Sequence, residues 1–160
     1  MELTLLATIS DYKTENAADF KAINKVWIKQ FESKGGSYKS LLENPDESIL
    51  AKGGKIFVAS VEGNLVGTCV LLRKNLKQYE ICLMAVKPEF QGKNIGKQLL
   101  SHAMDIARDL QAKTIELITN PKLAAAVELY KTHGFREEKE FAHGSVLFDA
   151  NDVKMTLALM

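Results

Sequence analysis

From Leu3 to Ile9 the residues are mostly apolar or β-branched, which is the pattern of a strand. Phe20, Ile23, Trp27 and Phe31 then recur at helical spacing, and Asn16 stands where that helix needs a cap. Gly35-Gly36 breaks the helix, a short helical piece is expected around Tyr38 to Leu42, and Asn44-Pro45 ends it. Lys55 to Val61 and Leu65 to Leu72 are β-rich runs on either side of Glu62-Gly63-Asn64. They predict a hairpin, because Gly and Asn tolerate the positive φ of a tight turn. Gln78 to Val86 continues the meander with a third strand. Around Gln91 the pattern changes to a helical one: Ile95, Leu99, Ala103, Ile106 and Leu110 make a single apolar stripe.

Thr114 to Thr119 predicts a short strand. Asn120-Pro121 places a cap and a first-turn proline, and Leu123 to His133 is a second helix closed by Gly134. Arg136 to Phe141 and Val153 to Leu159 give two more strands, joined by a polar loop containing His143, Gly144 and Asn151-Asp152. No repeat, linker or low-complexity tract interrupts the chain, so one domain over 1–160 with a mixed α/β sheet accounts for the pattern.

Composition narrows the function classes. With 160 residues, 46% hydrophobic and 26% charged, the chain can bury a core and fold unaided. Lys plus Arg (21) nearly cancels Asp plus Glu (20), so no net field would concentrate the protein on nucleic acid or an anionic membrane. Neither is an expected partner. Cys69 and Cys82 lie inside apolar strand runs and read as buried free thiols, which suits a reducing cytoplasm. Met1 to Ser10 lacks a basic leader region, and no apolar run has membrane-spanning length, so no export, anchor or transit signal is expected.

Chemistry concentrates where the third strand hands over to the long helix. A strand that delivers a glycine-bearing turn into a helix N-terminus makes an anion site, because backbone N–H groups converge there and the helix dipole adds to them. Gln91-Gly92-Lys93-Asn94-Ile95-Gly96-Lys97 is such a turn. Gly92 and Gly96 leave room for a phosphate, Asn94 tolerates a left-handed backbone, and Lys93 and Lys97 add charge. Gly92 to Lys97 is one residue short of the Walker A spacing and Gln98 follows it, and no G-x-G-x-x-G occurs, which disfavours a kinase or an NAD enzyme. Glycine turns of this kind also occur for packing alone.

Val86 to Gly96 resembles the Q/R-x-x-G-x-G/A coenzyme A loop of the GNAT acetyltransferases, with Gln91, Asn94 and Gly96 at the defining positions and Met84-Ala85-Val86 ending the strand before it. Asn94 replaces the usual glycine. Asn120, Ala126, Leu129-Tyr130 and His133-Gly134-Phe135 resemble the family's second signature, and Asn24, Trp27-Ile28 and Gly53-Gly54-Lys55-Ile56-Phe57 extend the likeness over the chain. The resemblance implies a GNAT-like domain: a mostly antiparallel, twisted sheet of about seven strands flanked by about four helices. It also implies acetyl-coenzyme A as co-substrate, a small-molecule amine or peptide as acceptor, direct attack in a ternary complex, and the homodimer common in the family.

Residue by residue, the resemblance assigns Met84 to Val86 to the pantetheine arm, with a backbone N–H polarising the thioester carbonyl. Gln91 to Lys97 would hold the pyrophosphate and Asn120 a pantetheine amide. Tyr130 would be the general acid for the departing thiolate. An amine of lysine type has a pKa of about 10.4, so about one molecule in a few thousand is neutral at pH 7 and its proton needs an acceptor. Glu80 is the candidate, through water, because alternation places it on one face with Cys82 and Met84. Pairing with Arg73 at a strand end explains the same carboxylate without catalysis. Trp27, Phe31, Tyr38 and His143 are candidates for the acceptor side, or simply core and loop residues. His102 and His133 read as surface or capping residues, and no metal site is expected. Cys69 and Cys82 lack an evident His partner, which disfavours a covalent route. The alternative function is a coenzyme A-binding sensor or structural protein without turnover.

Overall fold

Glu62 and Gly63 both adopt positive φ (51° and 80°), and this two-residue turn folds β2 (Lys55–Val61) back on β3 (Asn64–Arg73). Asn64, expected in the turn, is the first residue of β3. The computed structural model describes residues 4–31, 38–138 and 152–159, with backbone alone for 27–31 and 38–39. Trp27, Phe31 and Tyr38 as side chains, Gly35-Gly36 and His143-Gly144 therefore lie outside the described residues.

The remaining elements are β1 (Thr8–Asp11), α1 (Ala17–Phe31), α2 (Tyr38–Glu43), β4 (Gln78–Val86), α3 (Ile95–Asp109), β5 (Thr114–Thr119), α4 (Ala124–Thr132), β6 (Arg136–Glu138) and β7 (Val153–Ala158). The strands form one seven-stranded sheet in the order β1-β2-β3-β4-β5-β7-β6, antiparallel except where β4 and β5 run parallel. Three expectations need correction. The first strand begins at Thr8 because Leu5 donates its N–H to the Lys93 carbonyl (3.1 Å) instead of to a ladder. Asn16 does not cap α1; its side chain accepts the Lys13 N–H at 2.8 Å and closes a 3-10 turn ahead of the helix. Asn120 and Pro121 do not start α4, which begins at Ala124.

Each sheet face carries its own core. Leu99, Leu100 and Ala103 of α3 are wholly buried on Phe57, Cys69 and Ile115, with Tyr130 and Phe135 in the same cluster. On the other face Phe20 and Ile23 of α1 pack with Leu41, Ile49 and Val70. A buried Leu or Phe contributes about 2 kcal/mol, so these two layers supply most of the drive to fold. Among the described residues no helix is long and apolar enough to cross a membrane.

Both cysteines are free and buried. Burial pushes the Cys69 thiol up from 9.0 to about 12 and holds Cys82 well above 9.0. The folded chain thus keeps protons that the unfolded chain releases above about pH 9. Stability is intact below that pH and falls as pH rises toward the folded-state values. Denaturant midpoints between pH 8 and pH 10.5 should show a loss that steepens to about 1.4 kcal/mol per pH unit per thiol, reduced in Cys69→Val.

Candidate active site

Parallel pairing of β4 with β5 covers only Gln78–Glu80 against Thr114–Glu116, after which the strands separate. β4 also carries a bulge. Thr68 pairs with Ala85 and Val70 with Cys82, so two β4 residues oppose one of β3, and Leu83 takes a φ of 48°. Left-handed backbone costs a leucine about 1–2 kcal/mol, so its surroundings must impose it. The extra residue resets the alternation: Cys82 and Leu83 both join the core beneath α1, whereas Met84 packs into the core beneath α3. The expectation that Glu80, Cys82 and Met84 share a face holds only for Glu80 and Cys82.

A cavity of about 530 Å3 fills the separation. Ile81 to Val86 line one wall and Leu117 to Thr119 the other, with Leu123, Ala126 and Tyr130 of α4, Ala22, Ile23 and Val26 of α1, and Lys87 to Glu89 and Gln91 after β4. Because β3 uses only one edge of β4, the backbone groups on the other edge face this space.

At Gln91 the lining reaches the glycine turn. Gly92 and Asn94 have φ of 77° and 64°, so both positions favour residues at ease with a left-handed backbone. A Cβ built on Gly92 or Gly96 meets nothing within 4 Å, leaving open space over the start of α3. The first bond of the helix runs from the Gln98 N–H to the Asn94 carbonyl (3.2 Å), so the amides of Ile95, Gly96 and Lys97 have no helical acceptor. Gln91 Nε2 donates to the Val86 carbonyl (3.1 Å) and ties the turn to the strand end, and the Lys93 ammonium lies 5.4 Å from the centre of the Phe90 ring. Asn94 Nδ2 donates to Thr4 Oγ1 (2.8 Å), Gln98 Nε2 to the Leu5 carbonyl (2.8 Å), and the Ala7 N–H to Gln98 Oε1 (3.1 Å). The segment before β1 therefore braces the turn.

Tyr130 is 8% exposed, packs edge-on against Phe135 with ring centres 6.0 Å apart, and still lines the cavity. It is both a core residue and a cavity residue. Burial, and to a lesser degree Cys69, raises its phenol well above the ordinary 10.0. Asn120 Oδ1 accepts the Lys122 N–H (2.9 Å) and its Nδ2 donates to Asp152 (2.6 Å), so its side chain fastens the loop after β5 to the start of β7. Glu80 is buried and lies 3.4 Å from the Lys74 ammonium, and it is not among the cavity-lining residues. His133 holds the end of α4 through the Leu129 carbonyl (2.9 Å), while His102, half-buried, packs edge-on to Phe57 at 4.7 Å.

The bulge and its support escaped the sequence reading. Thr68 was the available signal, being a polar side chain inside the apolar run Leu65 to Leu72.

The profile of the acetyltransferase (GNAT) family matches residues 20–135. The chain belongs to this family. Among GNAT relatives, it is 35% identical over 99 residues to an uncharacterized N-acetyltransferase, YvbK, of Bacillus subtilis (strain 168), a match covering 60% of this chain and 64% of that protein. The matched region thus spans less than two thirds of that relative's length. A GNAT-family acetyltransferase from Staphylococcus aureus Mu50 superposes with a TM-score of 0.81 at 23% identity, covering 97% of this chain and 100% of the other. The structure of yncA from Salmonella typhimurium with its cofactor acetyl-CoA superposes with a TM-score of 0.78 at 20% identity, covering 98% and 95%. These structural likenesses establish the GNAT fold of this chain.

Proposed function

We propose that this GNAT chain is an N-acetyltransferase that moves the acetyl group of acetyl-coenzyme A to a primary amine, on a small molecule or a peptide, by direct attack. The observation that carries this reading is the cavity between β4 and β5, which has a free backbone edge along one wall, Tyr130 in the other, and an open glycine turn at its rim. The edge of β4 that β3 does not use, over Met84, Ala85 and Val86, suits an extended amide-bearing arm, with the Val86 carbonyl already held by Gln91. The turn at Gln91, Gly92, Lys93, Asn94, Ile95, Gly96 and Lys97 suits a pyrophosphate, with free amides, two ammonium groups and no Cβ in the way. Asn120 would meet the arm beside its bonds to Asp152 and Lys122.

In this reading a β4 amide meets the oxygen that becomes negative as the amine attacks, the kind of preorganised donor that lowers acyl-transfer barriers most. Tyr130, holding its proton through the working pH range, gives it to the sulfur as the C–S bond breaks. The amine's own proton leaves through water toward Glu80, two residues before Cys82 on β4. The buried free thiols fit a cytoplasmic setting.

Isothermal titration with acetyl-coenzyme A, followed by thiol-release assays over a panel of primary amines, tests the proposal. Saturable binding with amine-dependent thiol release is expected. Binding without release for any amine would indicate a coenzyme A sensor, and no binding would remove the reading. Asn94→Gly, which restores the family's usual residue at a left-handed position, should leave the dissociation constant within about threefold. Asn94→Ala should lower stability by about 1–2 kcal/mol, since alanine pays the left-handed penalty and loses the bond to Thr4.

A further inference from the structure

Two wholly buried polar side chains that the mechanism above leaves unused, Asn24 of α1 and Thr68 of β3, converge on the strained residue of β4. Asn24 Nδ2 donates to the Phe20 carbonyl at 2.9 Å and to Thr68 Oγ1 at 2.9 Å. A carbonyl can only accept, which identifies this atom as the nitrogen and commits both of its hydrogens. Thr68 Oγ1, already accepting, gives its own proton to the Leu83 carbonyl 3.0 Å away. The three groups form a one-directional relay away from solvent, where each bond polarises the next. Asn24 Oδ1 has no hydrogen-bond partner and is buried, a cost that an apolar residue at position 24 would avoid. What the side chain gives in exchange is its two donors.

The relay ends on the Leu83–Met84 peptide, inside the bulge of β4. No peptide bond in the described chain is cis, so the Leu83 carbonyl and the Met84 N–H point in opposite directions. Thr68 belongs to β3, and a carbonyl tethered to it sends the Met84 N–H away from β3, toward the side where β5 has separated and the cavity opens. Leu83 at φ 48° is the conformation that this tether sustains. Without it, leucine returns to the extended region that it prefers, and the peptide plane turns.

We infer that Asn24 and Thr68 are positioning residues that fix the Leu83–Met84 peptide so that the Met84 N–H is aimed at the thioester oxygen. This rests on the acetyl-coenzyme A reading and deepens it, by assigning the donor and the side chains that aim it.

Thr68→Val keeps a branched side chain in the strand and removes only the hydroxyl, and Thr68→Ser restores it. Infrared difference spectra of bound acetyl-coenzyme A, carbonyl-labelled with 13C, read the polarisation of the thioester without any acceptor. The parent should lower the carbonyl stretch relative to free cofactor. Thr68→Val should abolish most of that lowering while the dissociation constant, set by the turn at Gln91 to Lys97, stays within about threefold, and Thr68→Ser should recover it. With any amine that the parent accepts, kcat of Thr68→Val should fall about tenfold to a hundredfold at unchanged KM for acetyl-coenzyme A. A parent-like stretch in folded Thr68→Val, or no lowering in a parent that binds, overturns the inference and leaves the transferase reading standing. A parent that fails to bind acetyl-coenzyme A overturns both. Asn24→Ala, which leaves Thr68 and the sheet in place, carries the same test if Thr68→Val does not fold: a smaller loss of the lowering supports the relay, and a parent-like stretch refutes it.

Discussion

Gly92→Glu should weaken acetyl-coenzyme A binding by about a hundredfold or more in isothermal titration while the protein remains folded. The position has φ of 77° and open space within 4 Å of where a Cβ would go, so the main cost to the fold is backbone strain of about 1–2 kcal/mol. Its cost to binding is larger. The carboxylate enters the space above the free amides of α3, where a pyrophosphate would sit, and like charges about 4 Å apart near a protein surface repel by about 4 kcal/mol before salt screening. A hundredfold loss is about 2.8 kcal/mol, so the estimate survives considerable screening. Gly92→Ala shares the strain without the charge and should lose less than about tenfold. Equal losses in the two variants would show that the turn's geometry, and not anion binding, had been disturbed. Undiminished binding by Gly92→Glu would move the phosphate site elsewhere.

Tyr130→Phe should lower kcat for amine acetylation by about a hundredfold, with KM for acetyl-coenzyme A within about threefold and the thermal midpoint nearly unchanged. The ring keeps its edge contact with Phe135 and its place in the core, so only the proton is removed. Burial keeps the phenol protonated beyond its ordinary 10.0, so the parent's rate should show no decline due to this group up to about pH 10. The rise in rate with pH, set by deprotonation of the acceptor amine, should therefore appear in both proteins, displaced downward in the variant. Equal kcat values would return Tyr130 to the role of a core aromatic.

The elements that sequence located best are those governed by a single period. Gln78–Val86 and Thr114–Thr119 were legible to the residue because β-rich runs end there at turn-forming neighbours, and α3 because its stripe is unbroken from Ile95. The glycine turn was legible through composition, since only residues at ease with positive φ fit positions 92 and 94. The bulge was not. Cys82, Leu83 and Met84 are all apolar, so a slip in alternation leaves no contrast in polarity, and a leucine with positive φ is imposed by its surroundings rather than by its own preference. Asn16 and Asn120 were misjudged for a related reason. An asparagine beside a helical pattern satisfies whichever N–H the chain brings nearest, and here those belong to Lys13 and Lys122. Glu80 found Lys74 because the turn after β3 brings that ammonium over the strand, a tertiary fact without a sequence period.

The brace between residues 4–7 and the start of α3 makes the anion-holding turn a long-range structure. Thr4 and Asn94 are 90 positions apart in the chain, and Leu5 and Gln98 are 93 apart. A turn that looks local in sequence therefore gets part of its order from a segment that contributes no group to the cavity wall. Handling that opening segment, by fusion, trimming or proteolysis, amounts to handling the start of α3 beside the cavity.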